Sequence, residues 1–264
     1  MASEMLRDVL ALVREVADHE ILPRFLKVAH SHKDDGSVFT EADAATQSAL
    51  IAGLTGIARK PVLGEEMTVE AQRSAWQEGA GGLWCIDPID GTSNFVAGVP
   101  YFVVSVAYLE AGKRRLGVVY DPVAREAFYA ERGGGAWLNE ERLPLRIPVQ
   151  TLRRALAGVE LKRIDRKLAS YIAANPPYAS QRNFGASALD WCYVAAGRLD
   201  VYLHGAQKLW DYAAGALILE EAGGSMASLK GGFDESDIWE RSVVASASPQ
   251  LFQEWLAWLT RAAV

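Results

Sequence analysis

Asp87 and Asp90 stand three residues apart, flanking Pro88 and Ile89, at the end of the apolar run 83–86. Proline fixes its own φ and presses Asp87 toward an extended conformation. Gly91 then permits a sharp turn. Two carboxylates on a rigid turn, with the Ile89 carbonyl between them, can converge on a hard cation. Mg²⁺ takes oxygen ligands in near-octahedral geometry and suits such a site. A plain turn explains the same residues, because Asp-Pro and Asp-Gly are common turn dipeptides. The following Gly91-Thr92-Ser93-Asn94-Phe95 places small and hydroxyl residues where a helix could start. Backbone N–H groups there would bind phosphate, and a dication site beside them is the layout of metal-assisted phosphoryl transfer.

Two further acidic residues end apolar segments. Glu65 follows Gly64 after the short run 61–63, where a solvated Glu65-Glu66 pair is the other reading. Asp211 follows Trp210 and opens a segment of small residues, as an N-cap, a metal ligand, or both. Carboxylates gathered in one pocket repel each other unless cations sit between them, so the cluster implies metal before it implies a reaction. Divalent ions would also cancel the charge of a phosphate monoester and activate a water.

Other chemistries lack their signatures. There is no GxxxxGK[ST], strand-GxGxxG-helix, HExxH or GxSxG. His19, His30, His32 and His204 show no ligand spacing and read as surface or capping residues. Cys85 and Cys192 lie in apolar stretches and read as buried, reduced thiols.

The elements that must position these groups follow from periodicity. Residues 3–28 repeat apolar positions at helical spacing, with Ser3 as cap. Residues 31–37 read as a loop or hairpin, and Thr40 precedes a helix running to about Gly56. Short strands are expected at 61–64, 83–86, 102–109, 116–120 and 127–130, with the last three forming an antiparallel meander. Residues 151–172 read as mainly helical, 187–196 and 211–222 as helices, 201–203 and 242–247 as strands, and 249–263 as a closing helix. Strands cluster in the first half and alternate with helices in the second. That pattern is α+β followed by α/β, divided as 1–145 and 146–264.

The chain has 264 residues, 50% apolar and 23% charged, which excludes disorder, collagen-like repeats and coiled coil. No apolar run is long enough for a membrane span. The formal charge of −6 and the pI near 5.4 argue against nucleic-acid binding by bulk attraction to phosphate. The basic clusters at 113–115 and 163–167 read as solvated faces. Acidic and basic residues interrupt the first apolar block, so no signal peptide is read and a cytoplasmic location is expected.

The segment WCIDPIDGTSNF, residues 84–95, resembles the Asp-Pro-Ile/Leu-Asp-Gly-Thr signature of the inositol monophosphatase-like phosphatases. Gly64-Glu65-Glu66 is similar to their Gly-Glu-Glu motif. Trp210-Asp211-Tyr212-Ala213-Ala214-Gly215 with Glu221-Ala222-Gly223-Gly224 resembles their second signature, and Phe39-Thr40-Glu41-Ala42-Asp43 their threonine-rich segment. The resemblance spans nearly the whole chain. It implies the layered αβαβα sandwich shared with fructose-1,6-bisphosphatases, a homodimer, and Li⁺-sensitive hydrolysis of a small-molecule phosphate monoester with two or three Mg²⁺ ions. Carried over by position, Glu65, Asp87, the Ile89 carbonyl, Asp90 and Asp211 would hold metal. Glu65 and Thr92 would position the attacking water, with Asp43 hydrogen-bonding Thr92. The Gly91 and Thr92 N–H groups would bind phosphate. Gly185-Ala186-Ser187 and His204 would meet the sugar or inositol ring, although 185–187 reads equally well as a helix start.

Three positions depart from inositol-type members: Gln47 where glutamate is usual, Ala97 where histidine is usual, and His204 where a substrate-binding glutamate is often found. Neutral histidine offers one donor and one acceptor and no negative charge. These departures count against myo-inositol phosphate itself, but the Asp-Gly-Thr-Ser-Asn-Phe form of residues 90–95 resembles inositol-type members more than the nucleotidases, so an inositol or sugar monophosphate is the first substrate expectation. Histidinol phosphate and adenosine 3′,5′-bisphosphate follow, both compatible with Lys33–Ser37. A non-enzymatic module binding protein or RNA on the same fold is the alternative from another class.

Overall fold

A computed structural model describes residues 2–27, 30–32, 38–234 and 237–262. Helix α1 (Glu4–Val16) opens on Ser3, whose hydroxyl accepts from the Leu6 N–H at 3.1 Å. The expected helix to residue 28 ends early: a single π turn, Ala17–Ile21, follows α1, and tight turns succeed it. Pro23 supplies the reason, since its nitrogen cannot donate and its ring crowds the preceding turn. Strands β1 (His30–His32) and β2 (Val38–Thr40) pair antiparallel. The Lys33–Ser37 segment, on which the second and third substrate expectations drew, lies outside the described residues. Helix α2 (Glu41–Ile57) starts on Thr40 as expected.

The first sheet has seven strands: β3 (Val62–Gly64), β4 (Leu83–Asp90), β5 (Val103–Glu110), β6 (Lys113–Asp121), β7 (Glu126–Glu131), β8 (Gly135–Leu138) and β9 (Glu141–Arg142). β3 lies parallel to β4, and from β4 onward each strand pairs antiparallel with the next. The meander is thus longer than its expected three strands. Helix α3 (Val69–Glu78) links β3 to β4, and the short α4 (Thr92–Ala97) follows β4.

The second sheet orders its strands β11-β10-β12-β14-β13. They are β10 (Leu156–Glu160), β11 (Ser180–Arg182), β12 (Val201–Gln207), β13 (Ser225–Ala227) and β14 (Arg241–Ser246). Helices α5 (Arg166–Ala174), α6 (Ser187–Ala195), α7 (Leu209–Glu221) and α8 (Pro249–Ala262) complete the chain. β10 corrects the expectation of helix over 151–172. Its Ala157 and Val159 pair in parallel with Val201 and Leu203, and this distant partner overrides the local pattern.

Strand alternation builds three cores. Trp84, Ile86, Val104, Val106 and Val118 face α1 and α2. Leu83, Cys85, Val103 and Val119 face the opposite way, onto α6 and α7, and Tyr202, Val243 and Ala245 of the second sheet close that core from the far side. Ala157, Val159, Val201, Leu203 and Val244 then point outward to α5 and α8. Helix, sheet, helix, sheet, helix is the αβαβα sandwich. Central strands covered on both faces read as continuous apolar runs, and all eight residues of β4 are buried. Cys85 and Cys192 are free and buried. Among the described residues, no helix is long and apolar enough to cross a membrane. One basic cluster departs from the solvated reading: Arg114 is 7% exposed and donates to Asp234 at 2.7 Å.

Candidate active site

A cavity of about 280 Å³ opens where the two sheets' strand ends meet, and Glu65, Asp87, Ile89, Asp90, Gly91, Thr92, Gly185, Ala186, Ser187, His204 and Asp211 all line it. β3 places Glu65 by running beside β4, and the Glu65 N–H donates to the Ile86 carbonyl at 3.2 Å. The turn expected at 87–91 is instead the end of β4. In a regular strand, residues three apart point to opposite faces. The pairing of β4 with β5 slips between Asp87 and Asp90. Such a bulge re-aims side chains, which lets both carboxylates reach one cavity. Asp87 Oδ1 also accepts from the Ile89 N–H at 3.1 Å. Gly91 follows at φ 95, in the left-handed region, and a Cβ there would stand 3.0 Å from the Tyr101 carbonyl oxygen.

Thr92 opens α4. Its Oγ1 lies 3.2 Å from Asp43 Oδ1 and 3.0 Å from the Ile89 carbonyl oxygen. Asp43 is buried in the first turn of α2, where its Oδ2 accepts from the Thr40 N–H at 2.8 Å and the Thr40 hydroxyl at 2.7 Å. The same carboxylate therefore caps a helix and orients Thr92. These roles separate by mutation. Thr40→Ala should cost about 1 kcal/mol in urea unfolding and spare turnover. Asp43→Ala should cost about the same stability and also lower kcat.

Asp90 reaches across the molecule. Its Oδ2 accepts from the Ala188 N–H at 2.6 Å, at the start of α6. Ala186, the N-cap of α6, makes no side-chain cap hydrogen bond, so Asp90 supplies the acceptor from another element. Residues 185–187 are thus both cavity wall and helix start. Asp211 is not the N-cap of α7. It is the third helical residue, and its Oδ2 accepts from the Lys208 N–H at 2.8 Å.

Burial raises the pKa of each of these aspartates, and neighbouring carboxylates add to it. Asp87 is held well above the carboxylate range by burial, then by Glu65, Asp90 and Asp211. Asp211 is likewise raised by burial, then by Asp90 and Glu65. Asp90 is pushed up to about 7 by burial, partly opposed by the Ala188 N–H. Burial also raises Asp43. Among the described residues, no three His, Cys, Asp or Glu side chains already stand at metal-holding spacing. The carboxylates converge on one cavity without forming a closed cage. The raised proton affinity of Asp87, Asp90 and Asp211 is an affinity for positive charge, and carboxylate plus carbonyl oxygens form a donor set that fits a hard divalent cation.

Several contributors were not legible in the sequence. Asp190 lines the cavity, accepts from the Tyr101 hydroxyl at 2.9 Å, and is pushed up to about 7 by burial. Asn94 donates to the carbonyls of Tyr101 at 2.8 Å and Phe184 at 2.7 Å, fixing the segment that carries Gly185. Gln47 Oε1 accepts from the Glu66 N–H at 3.1 Å and so steadies the turn bearing Glu65. Ala97 is exposed and is not among the lining residues. Arg163, read as part of a solvated face, lines the cavity with Glu160, Asn183, Lys208 and Glu240. A larger cavity of about 540 Å³ lies elsewhere, but its Arg114 and Arg132 are already paired with Glu220.

Comparison with known proteins places this geometry. The inositol monophosphatase family matches residues 2–264. A "Nus factor SuhB" of Pasteurella multocida is 37% identical over 235 residues, 85% of this chain and 83% of that protein. An "Inositol-1-monophosphatase" of Mesorhizobium japonicum is 33% identical over 220 residues, 81% of this chain and 80% of that protein. Among solved structures, an IMPase of Thermotoga maritima superposes with a TM-score of 0.86 at 29% identity, covering 99% of this chain and 98% of the other.

Proposed function

The chain belongs to the inositol monophosphatase family, and from that premise we propose that it hydrolyses the phosphate monoester of a small polar alcohol, an inositol or sugar monophosphate, in a Mg²⁺-dependent reaction. The observation that carries this reading is the gathering of Glu65, Asp87, Asp90 and Asp211 in the cavity that also holds Thr92.

Glu65, Asp87, the Ile89 carbonyl, Asp90 and Asp211 would hold two or three Mg²⁺ ions. When bound, such ions neutralise the phosphate dianion, acidify a water and stabilise the leaving alkoxide. The chain's own groups do the rest. The N–H groups of Gly91 and Thr92 hold phosphate oxygens. Asp43 accepts a hydrogen bond from the Thr92 hydroxyl, which leaves an Oγ1 lone pair to accept one from the attacking water. Glu65 accepts that water's second proton. Gly185-Ala186-Ser187 and His204 contact the alcohol. We also read the chain as two sheet-bearing units, 1–145 and 146–264, because the first sheet ends at Arg142 and the second begins at Leu156. The family resemblance supports a homodimer.

Phosphate release from inositol monophosphate and sugar monophosphates, with Mg²⁺ and with chelator, tests the reading. Release that needs Mg²⁺ is expected, and none from any ester in either condition would sink it. A second reading, a binding module acting on protein or RNA, has its support in the relatives named Nus factor SuhB. It expects no release.

A further inference from the structure

The alcohol side of the cavity is lined by Glu160, Arg163, Asn183, His204, Lys208 and Glu240. Most of these groups satisfy one another. Glu160 Oε1 accepts from the Lys162 N–H at 2.8 Å and its Oε2 from Asn183 Nδ2 at 3.0 Å. Lys208 Nζ donates to Glu240 at 2.9 Å.

His204 Nε2 and Arg163 stand outside these bonds. His204 Nδ1 accepts the Ala206 N–H at 3.2 Å. That bond fixes the tautomer: the ring proton sits on Nε2, which has no protein partner among the described residues. Burial and the nearby Arg163 charge push His204 down to about 3, so the ring stays neutral near neutral pH. Arg163 is exposed and has no ion-pair partner among the described residues. Its position depends on Gly205. A Cβ at Gly205 would lie 1.6 Å from the Arg163 carbonyl oxygen, so only glycine lets the 161–163 turn press onto β12 beside His204.

The unpaired charge on this wall is the Arg163 cation, and the His204 Nε2–H donor lines the same cavity. We propose that the preferred substrates are esters whose alcohol carries a second oxyanion, a carboxylate or a further phosphate, received by His204 Nε2–H and the Arg163 guanidinium. Arg forms bidentate, charge-assisted bonds to either oxyanion. The proposal rests on the phosphatase reading above and narrows its substrate class.

Two matched pairs test it with Mg²⁺ present: 6-phosphogluconate against sorbitol 6-phosphate, and adenosine 3′,5′-bisphosphate against adenosine 3′-monophosphate. The first pair differs by a carboxylate and the second by a phosphate, so together they identify the oxyanion. The expected result is a kcat/KM ratio of about tenfold or more in favour of the charged member of at least one pair. That ratio should fall toward one in R163Q and in H204Q. Arg163 is exposed, so R163Q keeps the test sound even if H204Q misfolds. Ratios near one for both pairs, or a preference untouched by either folded variant, would overturn the proposal while leaving phosphatase activity in place. Failure of every ester to release phosphate would overturn the underlying reading, and the proposal with it.

Discussion

Asp90→Asn lowers phosphate turnover by at least about 100-fold, the scale on which aimed electrostatics act in catalysis, and leaves the protein folded. The asparagine oxygen can still accept the Ala188 N–H that Asp90 Oδ2 now takes at 2.6 Å, so the start of α6 keeps its partner. What disappears is one negative charge from the set facing the cavity. Circular dichroism melting of the variant beside steady-state phosphate release checks both halves of the expectation. Near-normal turnover in a folded Asp90→Asn protein would remove Asp90 from the working site. Loss of fold would instead show that its helix-capping role outweighs its role in the cavity.

The second large effect is on stability. Asp90 and Asp190 are each raised from 3.8 to about 7, chiefly by burial. Between those limits the folded protein binds protons that the unfolded chain has released. Stability therefore falls as pH rises through this window, by an amount on the order of a few kcal/mol for each group. Chelator-treated protein should melt several degrees lower at about pH 8 than at about pH 5. Mg²⁺ replaces the lost protons as counter-charge, so its addition should raise Tm more at the higher pH. A Tm that rises with pH in chelator, or an equal Mg²⁺ effect at both values, would contradict this account of the cavity's charge.

The site was more legible than its scaffold. Residue type marked Glu65, Asp87, Asp90 and Asp211, because carboxylates at the ends of apolar runs are hard to explain as packing. Their shared geometry was hidden. The spacing of Asp87 and Asp90 suggested a turn, but a register slip against β5 aims them. β5 lies beyond α4, where local sequence carries no record of the pairing. β10 was missed for a similar reason. Its five residues are too few to show a period, and the parallel partner that stabilises it begins at Val201. Arg163 looked like surface because charge runs usually are. Only the close approach permitted by Gly205 carries it to the cavity. The long α2 and α7 were read correctly in type, since caps and apolar repeats are local signals, while their exact first residues depended on bonds such as that from Lys208 to Asp211.

The bond from Ala188 to Asp90 joins residues 98 positions apart. During synthesis, at ~5–20 residues per second, that interval is roughly 5–20 s. The helices α6 and α7 that cover one face of the first sheet are made after the sheet itself. Until they emerge, Cys85, Val103 and Val119 have nothing to pack against on that side, so a nascent or truncated chain ending near residue 145 presents a broad sticky surface.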